Sequence, residues 1–138
     1  MSGRYLLDTN AVSELVRNPG GAVTQRIFEI GSEQVCTSII VAAELRYGAI
    51  RRGSRRLLTQ LEIVLEPLDV LPLEEPVDHI YGKLCTELER MGRPIGSNDM
   101  LIAAHVLALN CILVTANERE FSRISGLKIE NWLRPAPH

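Results

Sequence analysis

Residues 92–105 read GRPIGSNDMLIAAH, and the step from loop to helix inside this stretch organises the rest of the chain. Gly92, Pro94 and Gly96 make a loop, and Ser97 and Asn98 are both good helix N-caps. The run MLIAAHVLAL beyond them is apolar almost all the way round, which predicts a buried helix. One acid, Asp99, stands in its first turn. A carboxylate at that position is favoured by the helix dipole and the free N–H groups, so simple capping explains it as well as chemistry does. The functional question is whether other acids converge on Asp99.

At 138 residues the chain has room for one domain with a sizeable core. Residues 1–134 are expected to form that domain and residues 135–138 a short tail. The composition, 46% hydrophobic and 23% charged, is ordinary for a globular protein. No apolar stretch reaches the roughly 18 residues that span a bilayer, so no membrane association is expected. The opening MSGRYLLDTN places an acid directly after a short apolar run, unlike a signal peptide. Cys36, Cys85 and Cys111 are odd in number and form no CxxC pair. They read as reduced thiols in a cytoplasmic protein rather than as a disulfide frame or zinc site. His79, His105 and His138 are too scattered for a histidine metal site.

The net charge of −2 gives no overall basic field for nucleic acid. Charge is uneven, however: Arg46, Arg51, Arg52, Arg55 and Arg56 crowd around Gly53. This group reads equally as a solvated helix end and as a patch for phosphates or a partner.

Along the chain, Tyr5-Leu6-Leu7 reads as a buried strand ending in Asp8, Thr9 and Asn10. A helix follows through Val12 and Val16, then a turn at Pro19-Gly20 and a second short helix closed by Gly31. Residues 34–37 read as a strand with Ser38 as the next N-cap. The β-branched Ile39-Ile40-Val41 leaves the strand–helix boundary open. Helices are expected from Ala42, from Leu57 to Leu65, and from Val77 to Met91. Short strands are expected at residues 69–71 and 111–114, a single helical turn at residues 118–121, and a last alternating strand through Leu127, Ile129 and Trp132. Strands alternating with helices predict an α/β fold with a mostly parallel sheet.

Sites in such sheets form beyond the carboxyl ends of the strands. Two strands end in polar clusters, at Asp8-Thr9-Asn10 and at Thr115 through Asn117 to Glu120. Topology alone leaves open whether Asp99 joins them, because a long loop precedes it. Glu44 stands among apolar neighbours, and burying it unpaired would cost several kcal/mol unless a cation compensated. Four acids without clustered His or Cys form an oxygen-only donor set, which suits Mg²⁺ or Mn²⁺. Such ions activate water and stabilise a leaving oxygen in phosphodiester hydrolysis.

The segments LLDTN, AELRYG, GRPIGSNDMLIAAH, VTANEREF and GLKIENW, in that order, resemble the PIN domain. More narrowly they resemble the VapC toxins of bacterial toxin–antitoxin pairs and the related FitB group, from about Tyr5 to Trp132. The resemblance implies a three-layer α/β/α fold and a Mg²⁺- or Mn²⁺-dependent endoribonuclease. It also implies inhibition by a VapB-type antitoxin, homodimers, and larger antitoxin complexes that reach operator DNA through the antitoxin. The family's acids fall on Asp8, Glu44 and Asp99, with Glu120 where many members carry Asp. Asp8 and Asp99 would bind the metal first, with Glu44 and Glu120 as further ligands. Asn10, Thr115 and Asn117 would be supporting polar groups. The ending REFSRISGLKIENW resembles members that cleave initiator tRNA. Two rivals stand beside this reading. One is a degenerate PIN module that only binds a partner. The other is an aspartyl-phosphate phosphatase with Asp8 as nucleophile, which would need an acid where this chain has Asn10. His105, Tyr47 and Trp132 are expected to pack in the core rather than act.

Overall fold

Tyr5, Leu6 and Leu7 form the first strand, β1 (Tyr5–Leu7), and the sheet extends from it on both sides. In this computed structural model, residues 3–133 are described. After β1 come α1 (Thr9–Arg17), α2 (Ala22–Ile30), a short helical turn (Ser32–Gln34) and β2 (Val35–Ser38). Next are α3 (Ile39–Arg52), α4 (Arg55–Leu65), β3 (Asp69–Leu71), α5 (Val77–Arg90) and α6 (Ser97–Leu109). The last elements are β4 (Ile112–Val114), α7 (Glu118–Phe121) and β5 (Ile129–Glu130). The strand order is β3-β2-β1-β4-β5, and each pairing is parallel. The α/β expectation therefore holds. The expected tail at residues 135–138 lies outside the described residues.

This order has a functional consequence. The chain moves outward from β1 to β2 to β3, then crosses back to β4 on the other side of β1. With right-handed crossovers, α1 to α4 cover one face and α5 with α6 cover the other. Most helix contacts follow that division, with α1 against α3 and α4, and α5 against α6, while α3 and α6 meet across it. The direction of winding reverses between β1 and β4, and a crevice opens beyond their carboxyl ends.

Leu6 sits between Cys36 and Leu113, and Leu7 between Thr37 and Val114. Both leucines are fully buried, as expected of a parallel strand covered on two faces. Val12 and Val16 of α1, Leu61 and Leu65 of α4, and Ile102 and Val106 of α6 complete the core around them.

Local chemistry sets the boundaries. Ser38 Oγ accepts from the Ile40 N–H at 3.1 Å and starts α3 directly after β2, overriding the strand preference of Ile39-Ile40-Val41. Gly53 takes a left-handed conformation (φ 65°), and Ser54 caps α4 through the Leu57 N–H. The start of α6 differs from expectation. Gly96 holds the cap position with no side-chain bond, and Ser97 and Asn98 already lie in the first turn. Their place inside the helix follows from Gly96, whose carbonyl accepts the first helical bond from Met100 N–H at 2.9 Å.

The final strand is also shorter than expected, since only Ile129 and Glu130 pair with β4. Trp132 instead turns inward, donates from Nε1 to Glu130 at 2.9 Å and lies 5.2 Å from the Tyr5 ring. It packs as expected; Tyr47 does not, because it is 64% exposed on α3. Cys36, Cys85 and Cys111 are free thiols, and no described helix is long and apolar enough to cross a membrane.

The central position of β1 makes a quantitative prediction. Leu6→Ala should cost about 2–5 kcal/mol of unfolding free energy, while Ile63→Ala on the exposed side of α4 should change it by under about 0.5 kcal/mol. Urea unfolding of both variants measures the difference.

Candidate active site

Asp8 closes β1 and opens α1. It is only 4% exposed, and its Oδ1 accepts the Ala11 N–H at 2.9 Å, so it is the N-cap of α1. Its own N–H donates to Val114 O at 3.0 Å, which fixes it against the end of β4. Burial raises its pKa, and the neighbouring charge of Glu44 adds to that. The Thr115 hydroxyl and the N–H groups of Ala11 and Asn10 pull in the opposite direction.

Asp99 lies in the first turn of α6. That helix runs back along the sheet into β4, which places its N-terminus beside the carboxyl edge. The topological question left by the sequence is thereby answered. Burial first, and then the charges of Glu44, Glu120 and Asp8, together push the Asp99 carboxyl up to about 6. The other three acids, Glu44, Glu120 and Asp8, therefore all act electrostatically on Asp99.

Glu44, on α3, corrects one expectation. It is half-buried rather than enclosed, so the large desolvation cost does not arise, and no arginine pairs with it among the described residues. Instead the Thr9 hydroxyl donates to Glu44 Oε1 at 2.9 Å. Glu120, on α7, accepts from Asn117 Nδ2 at 2.8 Å, and the Asn117 N–H in turn donates to Thr115 Oγ1 at 2.9 Å. Thr115 and Asn117 thus support two different acids. Asn10 is exposed and reaches the site only through its N–H to Asp8. Sequence reasoning passed over Thr9, and the available signal was its place next to Asp8 in LLDTN.

The arginine group divides. Arg46 is held by Glu62 of α4 at 2.7 Å, a bond between helices. Arg51, Arg52, Arg55 and Arg56 stand exposed about the Gly53 turn. Arg52 and Arg17 also line a groove of about 320 Å³ together with Glu44. His105 is fully buried as expected, with Nδ1 2.9 Å from Ser38 Oγ, and burial lowers its pKa.

A parallel α/β protein with acids grouped about the carboxyl ends of β1 and β4, where its strand order reverses, is the class that fold and site define together. The PIN domain family model matches residues 5–127, and the chain belongs to the PIN-domain family. It is similar to Ribonuclease VapC1 of Haemophilus influenzae (strain R2866), at 35% identity over 132 residues, covering 94% of this chain and 98% of that protein. It is similar also to the tRNA(fMet)-specific endonuclease VapC of Shigella flexneri, at 35% identity over 130 residues and the same coverage of 94% and 98%. Among solved structures it resembles DNA-bound VapBC from Salmonella typhimurium, with a TM-score of 0.88 and 33% identity over 94% of this chain and 98% of that one.

The crowding at Asp99 carries a pH signature. Its folded pKa, about 6, lies above the unfolded value, so the native state holds a proton the unfolded chain has released. That contribution to stability is complete below the unfolded pKa and is lost as pH rises through about 6. In metal-free buffer, Asp99→Asn should raise the thermal midpoint at pH well above this value, and the gain should shrink at pH below it. Thermal unfolding across that range tests the sign.

Proposed function

We propose that this chain is a divalent-metal-dependent endoribonuclease, working as one PIN-like domain and as the toxin of a VapBC-type pair. The observation that carries the reading is that Asp8 at the end of β1 and Asp99 in the first turn of α6 stand at the carboxyl edge of the sheet. There burial and the charges of Glu44, Glu120 and Asp8 raise the Asp99 carboxyl, and no cationic side chain among the described residues is seen to relieve it. Uncompensated negative charge of this kind fits a cation. Among the described residues, no three Asp, Glu, His or Cys side chains close into a ready-made ion cage. Mg²⁺ does not require one, since it keeps several waters and binds through one or two carboxylates. Asp8 and Asp99 are the proposed ligands, with Glu44 and Glu120 completing the set; Mn²⁺ suits the same oxygens.

A bound divalent ion would supply charge stabilisation for the phosphate and a lowered pKa for water. The chain's own groups do the rest. Asp8 is locked by the α1 cap and by Thr115, so its carboxylate is fixed before substrate arrives. Glu44 stands half-exposed on the crevice wall and is the group proposed to orient the attacking water or take its proton. The RNA 3′-oxygen leaves in line with the attack. Glu120, steered by Asn117, borders the opposite side.

The relatives named as ribonucleases and as a tRNA(fMet)-specific endonuclease support RNA as substrate and initiator tRNA as the particular target. The solved DNA-bound VapBC complex supports a VapB-type antitoxin as partner. Homodimers, and operator DNA reached through the antitoxin, belong to the same proposal. Arg51, Arg52, Arg55 and Arg56 are proposed to meet RNA phosphates or the antitoxin, and three free thiols fit a cytoplasmic setting.

Purified protein should cut RNA with Mg²⁺ or Mn²⁺ and stop when EDTA is added. Asp8→Asn and Asp99→Asn should each lose more than about 100-fold, beyond the loss typical of a supporting hydrogen bond, while remaining folded by circular dichroism. Two variants that cut like the parent would sink the metal site. Incubation with separate purified tRNAs should yield a cut initiator tRNA; an intact initiator tRNA beside another cut RNA would remove that target.

A further inference from the structure

We propose that Thr9 is the positioning residue for Glu44, fixing where its carboxylate stands relative to Asp8. The inference rests on the nuclease reading above. A threonine in the first turn of a helix ordinarily spends its hydroxyl on nearby backbone. Here Asp8 has already taken the capping bond to the Ala11 N–H, which frees Thr9 from that duty. Its hydroxyl instead crosses to a residue 35 positions away and meets Glu44 Oε1 at 2.9 Å.

Two physical points make this bond more than packing. Glu44 is half-exposed, and its charge and that of Asp8 repel one another. Left alone, a flexible glutamate in that setting relaxes towards water and away from the crevice. The Thr9 donor opposes that swing and is the hydrogen-bonding partner that Glu44 has among the described residues. Thr9 is also directly bonded to Asp8, whose backbone is fixed by Val114 O and by the α1 cap. One rigid turn of chain therefore sets both acids: Asp8 by covalent position and Glu44 by hydrogen bond. Asn117 plays the matching part for Glu120, but locally, within its own turn.

The experiment uses the full chain with Thr9→Val, which keeps the shape and removes the donor, and Thr9→Ser, which keeps the donor. Mn²⁺ binding is read by calorimetry and RNA cleavage by steady-state kinetics. Thr9→Val should weaken Mn²⁺ binding and lower kcat by about tenfold, the lower end of the usual cost of losing a ligand's supporting partner. KM for RNA should stay near that of the parent, and Thr9→Ser should recover most of both losses. Placed on a Glu44→Ala background, Thr9→Val should add nothing, because residues acting through one another are not additive. Parent-like behaviour of Thr9→Val, a Thr9→Ser variant as damaged as Thr9→Val, or a full extra loss on Glu44→Ala would each overturn the assignment while leaving the nuclease intact. A parent protein that neither binds Mn²⁺ nor cuts RNA would overturn the nuclease reading and this inference with it.

Discussion

The parallel pairing of β1 with β2 on one side and β4 on the other is the constraint from which the site follows. Short parallel strands depend on burial of both faces, and Leu6 and Leu7 meet that condition. Once β1 is central, the chain must reverse its winding beside it, and the polar ends of β1 and β4 become neighbours. The Asp8 N–H to Val114 O bond continues the β1–β4 ladder by one more step. The sheet therefore delivers the first acid and Thr115 to the same place by backbone geometry alone.

The remaining acids arrive on helices, and each is restrained differently. Asp8 has backbone donors and a hydroxyl, Glu44 has Thr9, and Glu120 has Asn117. Asp99 shows no such side-chain bond and stands at the helix N-terminus, where the dipole favours its ionised form. Burial and the charges of Glu44, Glu120 and Asp8 act the other way and raise its pKa. Such a site is destabilising in isolation, and the surplus of negative charge is what a cation or a basic partner group would relieve.

Elements governed by local pattern were legible in the residues. The apolar helix after residue 96, the N-cap Ser38 and the strand-end acid Asp8 stand where patterning predicts them. What depended on three-dimensional packing was not. Ile39-Ile40-Val41 could not announce a helix, because the Ser38 cap and the neighbouring elements overrule β-branched preference. The exposure of Tyr47 and the partial exposure of Glu44 follow from which side of α3 meets α1 and α4, and no local pattern encodes that choice. Thr9 was missed for the same reason: its place beside Asp8 was visible, but its contact with Glu44 of α3 was not.

Beneath the acids, His105 and Ser38 join α6 to the start of α3, the two helices that carry Asp99 and Glu44. Burial holds the imidazole pKa down and so favours the neutral ring. A neutral ring brings no further charge under the site, whereas a lysine or arginine tie would weaken the negative potential that distinguishes it. Ser38 serves the same junction twice, as cap for the Ile40 N–H and as partner for His105 Nδ1. The spacing between the helices is thus set by short polar bonds in a dry layer, where such bonds are strongest. The carboxylates above can remain partly solvated and mutually repelling without the scaffold itself having to move.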